Sequence, residues 1–302
     1  MAILPAPSIV SAPVELIRRR LGATIFARVA GDEGPQRRER IHGADGPRPF
    51  DADDPIQRVH SDASMFVGGM RALLLQSLHP LAMAAVDQHS GYRGDPWGRL
   101  QRTSTFLAET TFGTAADAER AVRIVRAVHS RITGTAPDGR PYAANDPWLL
   151  RWVHVAEVDS FLTAHDRFGS RPLVGEERDV YVEQLGRTAL ALGASDVPTT
   201  EVELRAALAE FRPELESTAA ARGAARFMLL NPPIPLAMRA PYGVLSATAV
   251  STLPRWARRP LRLPYLPLTE ATTVRASGAV LTTAIRWAMR PPAPTSVDAT
   301  AT

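Results

Sequence analysis

The segment Trp148–Phe168, WLLRWVHVAEVDSFLTAHDRF, is apolar on nearly every side of the helix that its periodicity predicts. Such a helix has no face to give to water, so it must be sheathed by other elements. Asn145 or Asp146 is placed to cap its start, and Pro147 to take the first helical position, where a missing N–H costs nothing. His154, Val158, Phe161 and His165 share one stripe of this helix, and Glu157 follows His154 by three residues. Ionisable groups on an enclosed helix are expensive and must be paired or functional.

The rest of the chain supplies the sheath. Apolar spacing predicts helices over Val14–Val29, Asp62–Leu78, Pro80–His89, Arg99–Phe112 and Ala115–Ile132, and further ones near 175–193, 199–217, 218–230, 242–253 and 270–289. Thr114 with Asp117 forms an approximate capping box, and Asp138-Gly139 marks a turn. GDEGPQRRERIHGADGPRPFDADDP reads as a polar connector, residues 1–13 as an irregular lead and 291–302 as a disordered tail. No stretch alternates like a strand, and no repeat or domain boundary stands out. The expectation is a single all-α domain over 14–290.

Two absences narrow the chemistry. The 302 residues include no cysteine, which excludes thiolate-ligated haem, cysteine-held iron–sulfur clusters or zinc, and disulfides. All 35 Lys+Arg positions are arginine, which excludes a Schiff-base lysine and a phosphate-loop lysine. A formal charge of +4 without a basic stripe interleaved with aromatics gives no nucleic-acid footprint. The arginine cluster at Arg18–Arg20 suggests a twin-arginine signal, but the apolar stretch after it is short and broken by Arg28. Phe227–Val250 is interrupted by four prolines and Arg239, so a membrane span is not expected there, although peripheral contact stays open. A cytoplasmic protein is the expectation.

Three groups of residues are candidates for a site. On the Ala115–Ile132 helix, Ala118, Ala121, Val122, Val125, Val128 and Ile132 define an apolar face, with arginines opposite. His129 falls within roughly 40° of that face's centre and should point inward. Spacing alone leaves it nearer to a hydrogen-bonded core histidine than to a ligand. His154 and Glu157 read either as a buried pair or as part of a metal or cofactor pocket. Their order is the reverse of the Glu-x-x-His that a di-iron bundle uses, and no second copy exists. Arg99, Thr103, Phe106 and Thr110 share one helical face, with Arg102 adjacent. That stripe reads as a partly exposed face or as a pocket wall offering fixed donors to an anion, a propionate or oxygen.

HPLAMAAVDQHSGYRGDPWGRLQRTSTFLAETTFGT, followed by AVRIVRAVHSRITGTAPDGRPYAANDPWLLRWVHVAEVDSFLTAHDRFG, closely resembles the actinobacterial family that includes latex clearing protein (rubber oxygenase) and the MpaB-type oxygenases. The likeness runs from about Asp54 to Pro254. It implies an all-α fold with a globin-like core holding haem b, whose iron binds O₂ and cleaves an olefin to two carbonyl products. It further implies His129, in RAVHSR, as the axial iron ligand, and Arg99, Arg102 and Thr103, in RLQRT, as the distal pattern. His154 and Glu157 would then support the cofactor or face its propionates. The family's distal lysine is Arg102 here, and a guanidinium, always protonated, does not ligate iron. With no secretion signal expected either, the resemblance points away from a polymer and towards a small hydrophobic or unsaturated substrate. Two alternatives remain open: a non-catalytic haem or small-ligand binding protein, and a haem-free member with an acid/base pocket. The parts of His79, His89 and His165 are left open as well.

Overall fold

A computed structural model describes residues 11–91 and 93–290. The central helix forms as its sequence dictates. Asp146 accepts hydrogen bonds from Trp148 N and Leu149 N, Pro147 opens the first turn, and the helix, α8, runs Pro147–Phe168. Around it, in chain order, lie α1 (Ser11–Ala30), α2 (Gly34–Gly43), α3 (Pro55–His60), α4 (Ser64–Gln76), α5 (Pro80–His89), α6 (Pro96–Phe112) and α7 (Ala115–His129). After α8 come α9 (Glu177–Leu192), α10 (Glu201–Phe211), α11 (Ala219–Leu230), α12 (Arg239–Thr252) and α13 (Arg255–Arg258). The last helix enters through α14 (Pro267–Thr269) and a π-helical turn, Glu270–Val274, and continues as α15 (Arg275–Met289). The fold is all-α, as expected.

The core is assembled on α8. α4 lies antiparallel along it: Ser64 Oγ meets His165 Nδ1 at 3.3 Å at one end, and Gln76 Nε2 donates to Val153 O at 3.1 Å at the other. Gly68 permits the close approach, since a Cβ there would stand 2.8 Å from Phe161 Cδ1 and 3.3 Å from the Ala164 Cβ. Arg71, almost fully buried, closes one flank of this contact by bonding Ser160 Oγ, the Asp159 carboxylate and Thr252 O of α12. Arg178 ties α9 to Asp166 of α8 and Glu201 of α10. Arg286 of α15 reaches back to the buried Asp62, which also accepts from Ser64 N and Ser170 N.

Several expectations need correction. The polar connector contains one helix, and a second, assigned to no element from the sequence, starts at its last residue. α2 forms because Pro35 sits in its first turn, Arg37 pairs with Glu33, and Ile41 is buried. α3 begins at Pro55 and buries Ile56 and Val59. The lead is shorter than expected, because Ser11–Pro13 already belong to α1, while residues 1–10 and the tail 291–302 lie outside the described residues. α7 stops at His129, short of Ile132. The Asp138-Gly139 turn closes a small antiparallel hairpin, β1 (Thr133–Thr135) and β2 (Pro141–Ala143), with Gly134 opposite Tyr142. Gly139 carries the positive φ of +87° that the turn requires.

Candidate functional site

The three ionisable groups on the inner faces of α8 have different fates. His165 is satisfied: Nδ1 meets Ser64 Oγ and Nε2 meets Arg171 O at 3.0 Å. His154 is not. It is buried, neither ring nitrogen has a partner among the described residues, and Nε2 is sealed from solvent. Burial pulls its pKa down to about 4, so the imidazole is neutral at pH 7. Glu157 lies one helical turn away, yet no hydrogen bond joins the two, so the buried pair that the sequence allowed is not formed. Its carboxyl has no ion pair or hydrogen bond among the described residues, and burial pushes its pKa up to about 7.

Glu157 is enclosed by protein and still keeps accessible surface. His60, at the end of α3, has the same combination. On α4, a Cβ added to Gly69 would meet nothing within 4 Å. At about 100° per residue, Met65, Gly69 and Gln76 occupy the flank of α4 opposite Arg71. The same rotation places Glu157 on the side of α8 away from Asp159. All of these positions retain surface although their helices are central. Glu157 and His60, which both neighbour Tyr181, are therefore enclosed groups that still border accessible space, and Gly69 leaves room beside α4.

The helical hairpin α6–α7 carries the remaining candidates. The capping box is formed, with Thr114 Oγ1 accepting from Asp117 N and the Asp117 carboxylate accepting from Thr114 N. It turns the chain back on itself, and the two helices pack together. Arg99 and His129 stand nearly equal distances from the turn, so the antiparallel pairing brings them to one level. At that end Arg126 donates to Ala191 O, and Leu150 packs against Ala189 and Ala194. The last turn of α7 thus meets the end of α9, and the end of α9 meets the start of α8. His129 is half-buried on a stripe with Ala118, Val122 and Val125. Burial lowers its pKa, and its ring has no hydrogen-bond partner among the described residues. The apolar face of α7 is only partly covered, since Ile124 and Val128 are exposed. Arg99 is half-buried, whereas Thr103 is exposed and donates to Arg99 O. Arg102 is exposed and pairs with Asp95 at 3.4 Å.

These positions all fall within one family match. The sequence family described as ER-bound oxygenase mpaB/B′/rubber oxygenase, catalytic domain, matches residues 57–287. The chain belongs to this family. No curated protein and no solved structure matches it. As an mpaB/rubber oxygenase domain it is an oxygenase-family protein, and among its described residues no helix is long and apolar enough to cross a membrane.

The residues present fit a haem held by one histidine. Among the described residues, no three His, Asp or Glu side chains gather where they could hold a metal ion. A porphyrin asks less of the protein, a single neutral imidazole, and His129 has a desolvated ring without a competing partner. The sequence reading missed one constellation, centred on His60. His60 Nδ1 meets Thr111 Oγ1 of α6 at 2.8 Å, and its Nε2 meets the Tyr181 hydroxyl of α9 at 3.4 Å. Burial holds His60 neutral, with a pKa near 3, and raises Tyr181, with the Glu157 charge adding to that rise. The available signal was His60 sharing a face with Ile56 and Val59, in a stretch between the connector and the Asp62–Leu78 helix that was assigned to no element.

Proposed function

We propose that this chain is a haem b-dependent oxygenase that uses O₂ on a small hydrophobic or unsaturated substrate. The observation that supports this reading is the unpartnered, desolvated imidazole of His129, which lies within the family-matched residues and at the level of Arg99 on the α6–α7 hairpin. In this reading His129 would hold the haem iron. Haem so held would supply a redox-active centre for O₂ chemistry. Arg99 offers its guanidinium to an anionic group of the cofactor at the same level of the hairpin. Arg102, paired with Asp95 on the surface, acts through the helix start that it braces, and Thr103 lies on the outer side of α6. His154, held neutral, and Glu157, able to hold or release a proton near pH 7, are the polar groups of the enclosed side.

The test is the absorption spectrum of protein purified with haem supply. The expected result is a Soret band that is lost in His129→Ala and kept in His154→Ala. A fully helical protein without that band overturns the haem reading, and the reverse pattern of variants exchanges the two histidines. Oxygen uptake in the presence of apolar olefins then separates an oxygenase from a haem-binding protein without turnover.

A further inference from the structure

We propose that Glu157 is a specificity-determining residue, the polar anchor of the accessible space that it borders, and that it selects an apolar, uncharged molecule carrying a hydroxyl group. This rests on the preceding reading and deepens it by naming the substrate class. The role differs from that of a cofactor-supporting group.

The argument starts from what surrounds the carboxyl. Val153, one helical turn before Glu157 on α8, gives the neighbourhood an apolar lining, and on α4 Gly69 leaves room where any larger residue would fill it. The polar neighbours are already committed. His60 spends both ring nitrogens on Thr111 and Tyr181, and the Gln76 side-chain amide donates to Val153 O. Tyr181 is fully buried behind His60. Glu157 alone on this wall keeps accessible surface and has no partner among the described residues. An enclosed acceptor left unsatisfied costs free energy that a bound hydroxyl returns, and an apolar molecule fills the rest. No arginine reaches Glu157, so a carboxylate ligand would meet like charge without compensation. His154 is neutral and adds no positive charge. The occupant that fits is therefore an alcohol-bearing hydrocarbon rather than a fatty acid or a bare olefin.

The experiment compares three probes of equal chain length, 1-octanol, octanoate and 1-octene, binding to the purified protein at pH 8, followed by tryptophan fluorescence and thermal shift. The wild type is expected to bind 1-octanol about 3–10 fold more tightly than 1-octene, the return on one buried hydrogen bond. Octanoate is expected to bind at least about tenfold more weakly than 1-octanol. Glu157→Gln keeps an acceptor and removes the charge, so it should bring octanoate to within about twofold of 1-octanol. Glu157→Leu should erase the preference for 1-octanol over 1-octene. Octanoate binding as tightly as 1-octanol to the wild type overturns the proposal, as does equal affinity for 1-octanol and 1-octene or no binding of 1-octanol. These comparisons within the wild type do not depend on any variant folding. They are also independent of the Soret band: alcohol selectivity without haem absorption sustains this proposal against the haem reading, and haem absorption without selectivity does the opposite.

Discussion

Alanine at two adjacent glycines of α4 should move stability in opposite directions. Both substitutions gain the same helix propensity, about 0.5–1 kcal/mol, because glycine surrenders more backbone freedom on folding than alanine does. They differ in what the new methyl meets. At Gly68 the Cβ would stand 2.8 Å from Phe161 Cδ1 and 3.2 Å from Phe161 Cα. The ring cannot simply swing away, because it packs edge-on against His60, and the second contact is backbone. α4 and α8 must separate, and overpacking of this kind costs about 1–3 kcal/mol. The net for Gly68→Ala is a loss of about 1–2 kcal/mol, or roughly 2–8 °C in Tm for a chain of this size. At Gly69 nothing lies within 4 Å, so Gly69→Ala should retain its propensity gain and raise Tm by roughly 1–4 °C. Urea and thermal denaturation of both variants, expressed without added haem, measure the difference. A Gly69→Ala protein destabilised as much as Gly68→Ala would refute the open space beside Gly69.

Three further outcomes follow from the ionic and capping arrangements. Glu157 has a folded pKa of about 7 against 4.5 for the free group, so its ionisation costs the fold nothing at low pH and a growing amount as pH rises through that window. Glu157→Gln should therefore stabilise the protein by on the order of 3 kcal/mol at pH 8 and by little at pH 5, and denaturation curves showing equal gains at both would contradict the assignment. For Asp62, burial works towards a higher pKa, but the Arg286 guanidinium and the N–H groups of Ser64 and Ser170 outweigh it and hold the carboxyl well below the usual range. Its stabilisation is full above the unfolded pKa near 4 and is lost only as pH falls on towards the depressed folded pKa. Asp62→Asn should therefore cost about 3 kcal/mol at pH 7, and the cost should shrink progressively as pH is taken below about 3. Thr114→Ala removes the acceptor for Asp117 N at the turn joining α6 to α7 and should cost about 1 kcal/mol by the same denaturation assay.

What could be read from the sequence was whatever local chemistry decides. α8 was legible because an all-round apolar helix has one place to go, and its start was legible because Asp146 and Pro147 act within their own turn. The capping box at Thr114 was legible for the same reason. α2 and α3 were not, since helices this short are held by partners far away in the chain. Arg40 of α2 binds Glu109, and Ile56 N at the start of α3 donates to Gln184. Periodicity found the apolar face of α7 but not how far it is covered, and Val128 on that face is left exposed. The distal stripe on α6 met the same limit. Thr103 and Thr110 share a helical face, yet one is exposed and the other buried, because different neighbours lie along its length.

The sharpest case is α8 itself, where His154, Glu157 and His165 were equally costly in sequence. The fold compensates one and leaves two. His165 gains Ser64 and Arg171, while the outer flanks of the same helix are satisfied by Arg71 on Asp159 and Arg178 on Asp166. The helix is thus well supplied with partners wherever an element packs against it. His154 and Glu157 go without, although a leucine or a glutamine at either position would be less expensive. Uncompensated polar groups inside a fold that compensates their neighbours mark where stability has been traded for binding or chemistry. That asymmetry, rather than the mere presence of histidines in the core, locates the site on the turn of α8 that carries His154 and Glu157. It also makes the cost measurable: if the two groups serve a ligand, occupying the space should recover stability that Glu157→Leu gains without any ligand.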